Sequence, residues 1–285
     1  MKRLVIIVPN SFTVANLLCG CAGIIYAFNE HLLRSSLCIA IALIADFLDG
    51  FFARILNAGS EFGKQFDSLA DLVTFGVLPG VILYQLISIG YGEYFTEMAK
   101  RSHLLASMCG LLIPMFAAIR LAKFNIDAKQ QNTFIGMPTP AVAIFIASFP
   151  IILEAGYELN YYPGMDAPIF SVLKRVFYWD TWDEWLVLLL LNPWFYISIA
   201  CIFSLLMVIN LPMFSLKFKN LNWQGNEFRY LFIMLLCLLG ILVALPNIFY
   251  LSFLPYIDYT AIPLAVIIYI LLSFANYLML KKNEI

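Results

Sequence analysis

Hydrophobic residues in this chain come in long unbroken runs, not at the spacing of a single buried helix face. Apolar stretches near residues 11–28, 35–56, 68–90, 103–123, 138–155, 185–209, 230–251 and 259–280 each have the length a helix needs to cross a hydrocarbon core of about 30 Å. They predict eight helical spans joined by polar links. The longest link, 156–184, carries Tyr161-Tyr162-Pro163-Gly164 and Tyr178-Trp179-Asp180, a composition that predicts an outer-face loop with an aromatic interfacial belt. The link from Pro212 to Arg229 holds Lys217, Lys219 and Arg229, which suit anionic headgroups. No internal repeat or low-complexity segment interrupts the pattern. One membrane domain is expected: catalytic core spans in 1–155, the outer loop in 156–184, and further helices in 185–285 completing the same unit.

Composition agrees. Of 285 residues, 62% are hydrophobic and 12% charged, and the mean hydropathy is +0.87. The fold class is therefore an all-α polytopic membrane bundle. A net charge of -1 with no basic run excludes a nucleic-acid partner. The six cysteines lie in apolar segments without Cys-x-x-Cys spacing and read as small buried hydrophobes, while His31 and His103 sit at segment ends. The basic Met1-Lys2-Arg3 start precedes an apolar run that fits as a retained span, not a signal peptide. With the N-terminus in the cytoplasm, only Arg34, Lys100, Arg101, Lys174 and Arg175 of the 17 basic residues fall outside. The positive-inside rule then puts both termini in the cytoplasm.

Against this background the stretch DFLDGFFARILNAGSEFGKQFDSLAD, residues 46–71, stands out. Ionisable groups in a span cost several kcal/mol and mark functional sites. Asp46 and Asp49 are spaced i, i+3, and Asp67 and Asp71 i, i+4, so each pair shares a helix face. The polar, glycine-bearing link 57–63 lets the two helices run antiparallel as neighbours, so that four carboxylates converge. Such a cluster needs counter-charge, and its hard oxygens suit Mg²⁺, Mn²⁺ or Ca²⁺. Pairs of such ions serve phosphoryl chemistry. Gly50, Ala53 and Gly63 leave room for a ligand or, equally, for close helix packing. Arg54 offers a fork for a phosphate.

The pattern Asp46-x-x-Asp49-Gly50-x-x-Ala53-Arg54, followed by Gly63, Asp67 and Asp71 at fixed gaps, resembles at every position the signature of the CDP-alcohol phosphatidyltransferases. The resemblance implies integral-membrane enzymes that exchange the CMP of a CDP-linked lipid for an alcohol. It implies that Asp46, Asp49, Asp67 and Asp71 bind two divalent ions, Mg²⁺ or Mn²⁺, that Asp71 is also the general base, and that Gly50, Arg54 and Gly63 line the CMP site. A homodimer in the bacterial inner membrane is implied as well.

Further stretches are similar to the integral-membrane phosphatidylserine synthases: Pro9-Asn10, Thr13, Asn16-Leu17 and Gly20, Ser68 to Gly76, Arg120-Leu121-Ala122-Lys123-Phe124-Asn125, and Phe134 to Ala141. The likeness covers about residues 5 to 145 and implies CDP-diacylglycerol and L-serine as substrates, with phosphatidylserine and CMP as products. Read physically, Arg120 suits a serine carboxylate or a headgroup anchor, Lys123 favours the anchor, and Asn125 donates or accepts. Thr13 and Asn16 reach the nucleotide or pack within the bundle. Gly136, Pro138 and Pro140 disfavour helix and suggest a re-entrant loop. Glycerol 3-phosphate or an inositol compound as acceptor stays open, as does a cation-coupled transporter whose aspartates carry the ion.

Overall fold

Backbone groups in hydrocarbon have no water to bond, so a chain this apolar satisfies them within helices. The computed structural model describes residues 2–58, 60–91, 101–126, 134–159, 188–214, 223, 226–249 and 257–283. Helices fall in all eight predicted segments. They are α1 (Lys2–Phe28), α2 (Leu32–Ile55), α3 (Glu61–Asp71) and α4 (Leu78–Gly90). After these come α5 (Arg101–Ser107), α6 (Leu112–Ile126), α7 (Thr139–Leu159), α8 (Pro193–Val208), α9 (Glu227–Phe249) and α10 (Ile257–Asn283). A π-helical segment, Leu72–Val77, fuses α3 to α4, and a 3₁₀ turn, Met108–Leu111, fuses α5 to α6. Among the described residues, five helices are long and apolar enough to cross a membrane, and two further apolar helices are shorter. Most of the predicted outer loop 156–184, from residue 160 on, lies outside the described residues, as do Lys129, Lys217 and Lys219.

The rod Glu61–Gly90 is the centre: 67% of its apolar window is buried, against 22% to 33% for the other four spans. Outward faces keep Leu18, Ile44, Leu205 and Leu271 uncovered, as lipid-facing surfaces do. Three of the cysteines, Cys21, Cys201 and Cys237, share that exposed surface. They are lipid-facing, not buried, because their helices turn those positions away from the bundle.

Missing side chains let the helices close up around the rod. A Cβ on Gly20 of α1 would stand 2.4 Å from Thr74 Oγ1, and one on Gly80 would stand 2.6 Å from Pro114 Cδ. Small residues at such crossings let backbones approach, which is how helices associate where no water drives them together. The polar groups trapped there are bonded: Thr74 Oγ1 donates to Asn16 O at 3.0 Å, and Gln85 Nε2 donates to Ala27 O at 2.9 Å. Aromatic rings lock α7 to α8, with Phe145 stacked on Phe203 at 4.4 Å and Phe149 edge-on to Tyr196.

Predicted segment 185–209 starts its main helix only at Pro193. Asn192 stops the preceding turn and caps α8, accepting from Trp194 N at 3.0 Å, while Pro193 supplies the preset first helical position. The expected non-helical stretch before α7 is a two-residue strand. Phe134–Ile135 (β1) pairs antiparallel with Pro212–Met213 (β2). Gly136 N donates to Leu211 O and Met137 N to Leu206 O, both at 2.9 Å. Buried irregular backbone is thereby satisfied, as a membrane interior demands. Gly136 has φ +75°, and an added Cβ would lie 2.4 Å from Met207 O. Gly136→Ala should therefore destabilise the protein by more than about 1 kcal/mol, read as a lower unfolding temperature in detergent; an unchanged temperature would show that this pairing is dispensable.

Candidate active site

The link between α2 and α3 is built from local rules. Asn57, at φ +47°, ends α2 in the left-handed conformation, with Ala58 N donating to Ala53 O. Ser60 then caps α3, its hydroxyl accepting from Gly63 N at 3.0 Å. The chain turns back, but α2 and α3 make little direct contact: α1 packs along both, with Phe12 stacked on Phe52 at 5.2 Å. Carboxylates from the two helices nonetheless come together, as the glycine-bearing link predicts.

One carboxylate oxygen from each of Asp46, Asp49 and Asp67 lies within 4.8 Å of the others. Asp71 lies near enough to this trio for its charge to interact with those of Asp46 and Asp67 and, more weakly, Asp49. Neutral donors from α1 hold two of the four: Thr13 Oγ1 donates to Asp49 Oδ2 at 2.9 Å, and Asn16 Nδ2 donates to Asp71 Oδ1 at 3.1 Å. Thr13 and Asn16 are themselves buried. Both residues, singled out as nucleotide contacts or packing positions, thus position carboxylates. Asp67 Oδ1 is buried with no hydrogen-bond partner. Hard oxygens crowded at this spacing, one of them orphaned, fit ligands about 2.0–2.6 Å from a shared hard cation.

The small residues of the motif separate into two kinds. A Cβ on Gly50 would meet nothing closer than Arg54 Nη2 at 3.8 Å, so Gly50 faces open space and serves no helix packing. One on Gly63 would lie 3.1 Å from Ser60 Oγ and 3.3 Å from Asn10 Oδ1, so that glycine is packed. Arg54 is exposed and folds back along α2, its Nε donating to Gly50 O at 2.8 Å. Ala53 is half-buried beside it.

The basic residues of α6 divide as well. Arg120 is 9% exposed, it lies near enough to Tyr269 and Asp71 for their charges to interact, and its Nε has no hydrogen-bond partner. Lys123 is exposed, which suits an anchor. Asn125 bonds Ser68 through 3.0 and 3.2 Å contacts and Gln65 at 3.4 Å, tying α6 to α3. Tyr269, from α10, was missed in the sequence; its one visible signal is a hydroxyl-bearing aromatic in mid-span.

The profile of the CDP-alcohol phosphatidyltransferase family matches residues 6–190, which include every residue of this site except Tyr269. The chain belongs to the CDP-alcohol phosphatidyltransferase family. Chains similar to it carry the name CDP-diacylglycerol–serine O-phosphatidyltransferase. That of Helicobacter pylori (strain J99) is 36% identical over 152 residues, 53% of this chain and 59% of the relative. That of Bacillus subtilis (strain 168) is 36% identical over 154 residues, 52% and 81%. That of Methanocaldococcus jannaschii is 33% identical over 158 residues, 55% and 67%. The match thus spans about 59% of the length of the Helicobacter relatives. CDP-alcohol phosphatidyltransferases are metal-dependent in general, which agrees with the donor set described above.

Adding Mg²⁺ or Mn²⁺ to the detergent-solubilised protein should raise its unfolding temperature, because an ion that binds only the folded state stabilises it by mass action. Asp49→Asn should remove most of that rise, and an equal rise in variant and parent would strike Asp49 from the ligand set.

Proposed function

We propose that this chain transfers the phosphatidyl group of CDP-diacylglycerol to the hydroxyl of L-serine, giving phosphatidylserine and CMP. The observation that carries this reading is the carboxylate cluster itself, with Asp46, Asp49 and Asp67 within 4.8 Å and Asp71 fixed beside them. Asp46, Asp49, Asp67 and Asp71 hold the divalent metal, Mg²⁺ or Mn²⁺, as two ions. Bound there, the ions neutralise pyrophosphate oxygens and the departing CMP. Open space at Gly50 admits the nucleotide, with Ala53, Arg54 and Gly63 around it.

Asp71 is the general base. Asn16 engages one of its oxygens, which leaves the other for the acceptor hydroxyl, a poor nucleophile until its proton is taken. As the proton passes to Asp71, the serine oxygen bonds to the phosphorus that bears diacylglycerol. The bond from that phosphorus to the bridging oxygen breaks, and CMP leaves with the electron pair. Arg120 holds the serine carboxylate: a buried guanidinium with an unpartnered Nε, near enough to Asp71 for their charges to interact, orients the amino acid toward the base. Asn125 acts on position, through Ser68. A single buried cation suits one carboxylate better than the dianion of glycerol 3-phosphate, since Lys123 lies exposed. Residues 1–155 carry this machinery, the site and both termini face the cytoplasm, and the enzyme works as a homodimer in the bacterial inner membrane.

Purified protein with CDP-diacylglycerol and Mn²⁺ should release CMP when serine is added, and not with glycerol 3-phosphate or inositol phosphate; release with another acceptor alone would overturn the choice of serine. Asp71→Asn should lower kcat by about 10² to 10⁴ without altering the unfolding temperature by more than a few degrees, and near-normal turnover would sink the base assignment. Arg120→Lys should raise KM for serine by about 10- to 100-fold, the worth of a hydrogen bond to a charged group, with KM for CDP-diacylglycerol unchanged; equal rises in both would remove Arg120 from the acceptor side.

A further inference from the structure

One buried side chain at the acceptor end of the site has no role in the proposed reaction. Tyr269 comes from α10, beyond residues 6–190, the part matched by the family profile. It lies near enough to Arg120 for their charges to interact, and Arg120 interacts with Asp71 as well. Only 8% exposed, its ring packs on that of Phe214 at 5.0 Å and on that of Phe232 at 5.8 Å. The hydroxyl is committed too, donating to Phe214 O at 3.1 Å. Phe214 follows β2, which pairs with β1 ahead of α7, and α10 packs against both β2 and α7. Ring packing and hydrogen bond together fix where the phenol oxygen stands.

The orientation of that hydroxyl decides what it offers a neighbour. A phenol has one proton to donate and accepts through the lone pairs of its oxygen. With the proton given to Phe214 O, the oxygen can only accept from Arg120. Arg120 has donors to spare, since it is 9% exposed and its Nε has no hydrogen-bond partner. A guanidinium is a rigid plane with five N–H donors, so a hold on one edge sets where the remaining donors point. Without a second hold, a buried guanidinium beside Asp71 is drawn onto that carboxylate, and base and cation would occupy one another. Asn16 engages only one oxygen of Asp71, Oδ1, and so does not prevent this.

We propose that Tyr269 is a positioning residue for the acceptor: its phenol oxygen, fixed by Phe214 O, holds the Arg120 guanidinium off Asp71 and turned toward the acceptor carboxylate. The inference rests on the transfer to serine proposed above and deepens its acceptor side. Tyr269 touches no reacting atom; it acts through Arg120. The last helix, separate in sequence from the aspartate motif, thereby sets the angle at which the acceptor is presented to the base.

Steady-state kinetics of CMP release by the full-length protein in detergent, with CDP-diacylglycerol and Mn²⁺, tests this on the parent, Tyr269→Phe, Arg120→Lys and the double variant. Tyr269→Phe should raise KM for serine about five- to tenfold, the worth of one hydrogen bond, and leave KM for CDP-diacylglycerol within about twofold. The loss falls on KM for serine because serine competes with Asp71 for the guanidinium. In the Arg120→Lys background no planar fork is left to aim, and the same substitution should change KM for serine by less than about twofold. An unchanged KM for serine in Tyr269→Phe, equal rises for both substrates, or the full rise again in the Arg120→Lys background would overturn the inference. Phe232→Leu separates position from packing. It loosens the ring cluster and keeps the hydroxyl, so it should lower the unfolding temperature while KM for serine stays within about twofold. A rise in KM for serine equal to that of Tyr269→Phe would make Tyr269 a packing residue and overturn the proposal too. Absence of CMP release by the parent with serine would instead sink the transfer reaction, and the unfolding temperatures of the same proteins would still decide the contact: losses short of additive support it, and additive losses overturn it.

Discussion

Mutual repulsion among Asp46, Asp49, Asp67 and Asp71 sets the terms on which this bundle is assembled. Four carboxylates in a region of low dielectric oppose one another and oppose burial, and only oriented donors or cations offset that cost. The structure answers with α1. Thr13 and Asn16 reach two of the four, and the same helix packs along both α2 and α3. Among the buried polar atoms left without a hydrogen-bond partner are an oxygen of Asp67 and the Nε of Arg120.

Packing elsewhere is close. Around the central rod, helices approach through Gly20, Gly80 and Gly110, and the buried hydroxyl and amide groups at those crossings are bonded to backbone carbonyls. Gly50 differs from these: a Cβ there would meet nothing closer than Arg54 Nη2 at 3.8 Å, so its missing side chain serves no helix crossing.

Much of this was legible in the sequence. Hydropathy alone located eight helical segments, because a membrane core demands helices of a fixed length and tolerates few alternatives. The aspartate spacing put each pair on one face, and the glycine-bearing link brought the pairs together. Other features were not legible, for physical reasons. Thr13 and Asn16 read as nucleotide contacts or as packing positions alike, because sequence shows that a polar residue lies in a span but not which neighbour it meets. Arg120 and Lys123 share one short basic stretch, and only helical phase separates the buried cation from the exposed one. Cys21, Cys201 and Cys237 face outward because apolar residues in a membrane protein need not be inside. Tyr269 gave almost no signal, since its importance depends on a helix meeting another that lies about 150 positions earlier in the chain.

The π-helical turn Leu72–Val77 carries an implication for how such a protein changes over evolutionary time. A π turn holds one residue more than an α turn, so everything beyond it is rotated by about 100° relative to a regular helix. Upstream of it lie Asp67 and Asp71, which belong to the carboxylate cluster; downstream lies Gly80, which receives Pro114 of α6. Chemistry and packing on this one rod are therefore phased independently, with a single inserted residue as the gear between them. Losing that one residue would put the two halves of the rod in conflict.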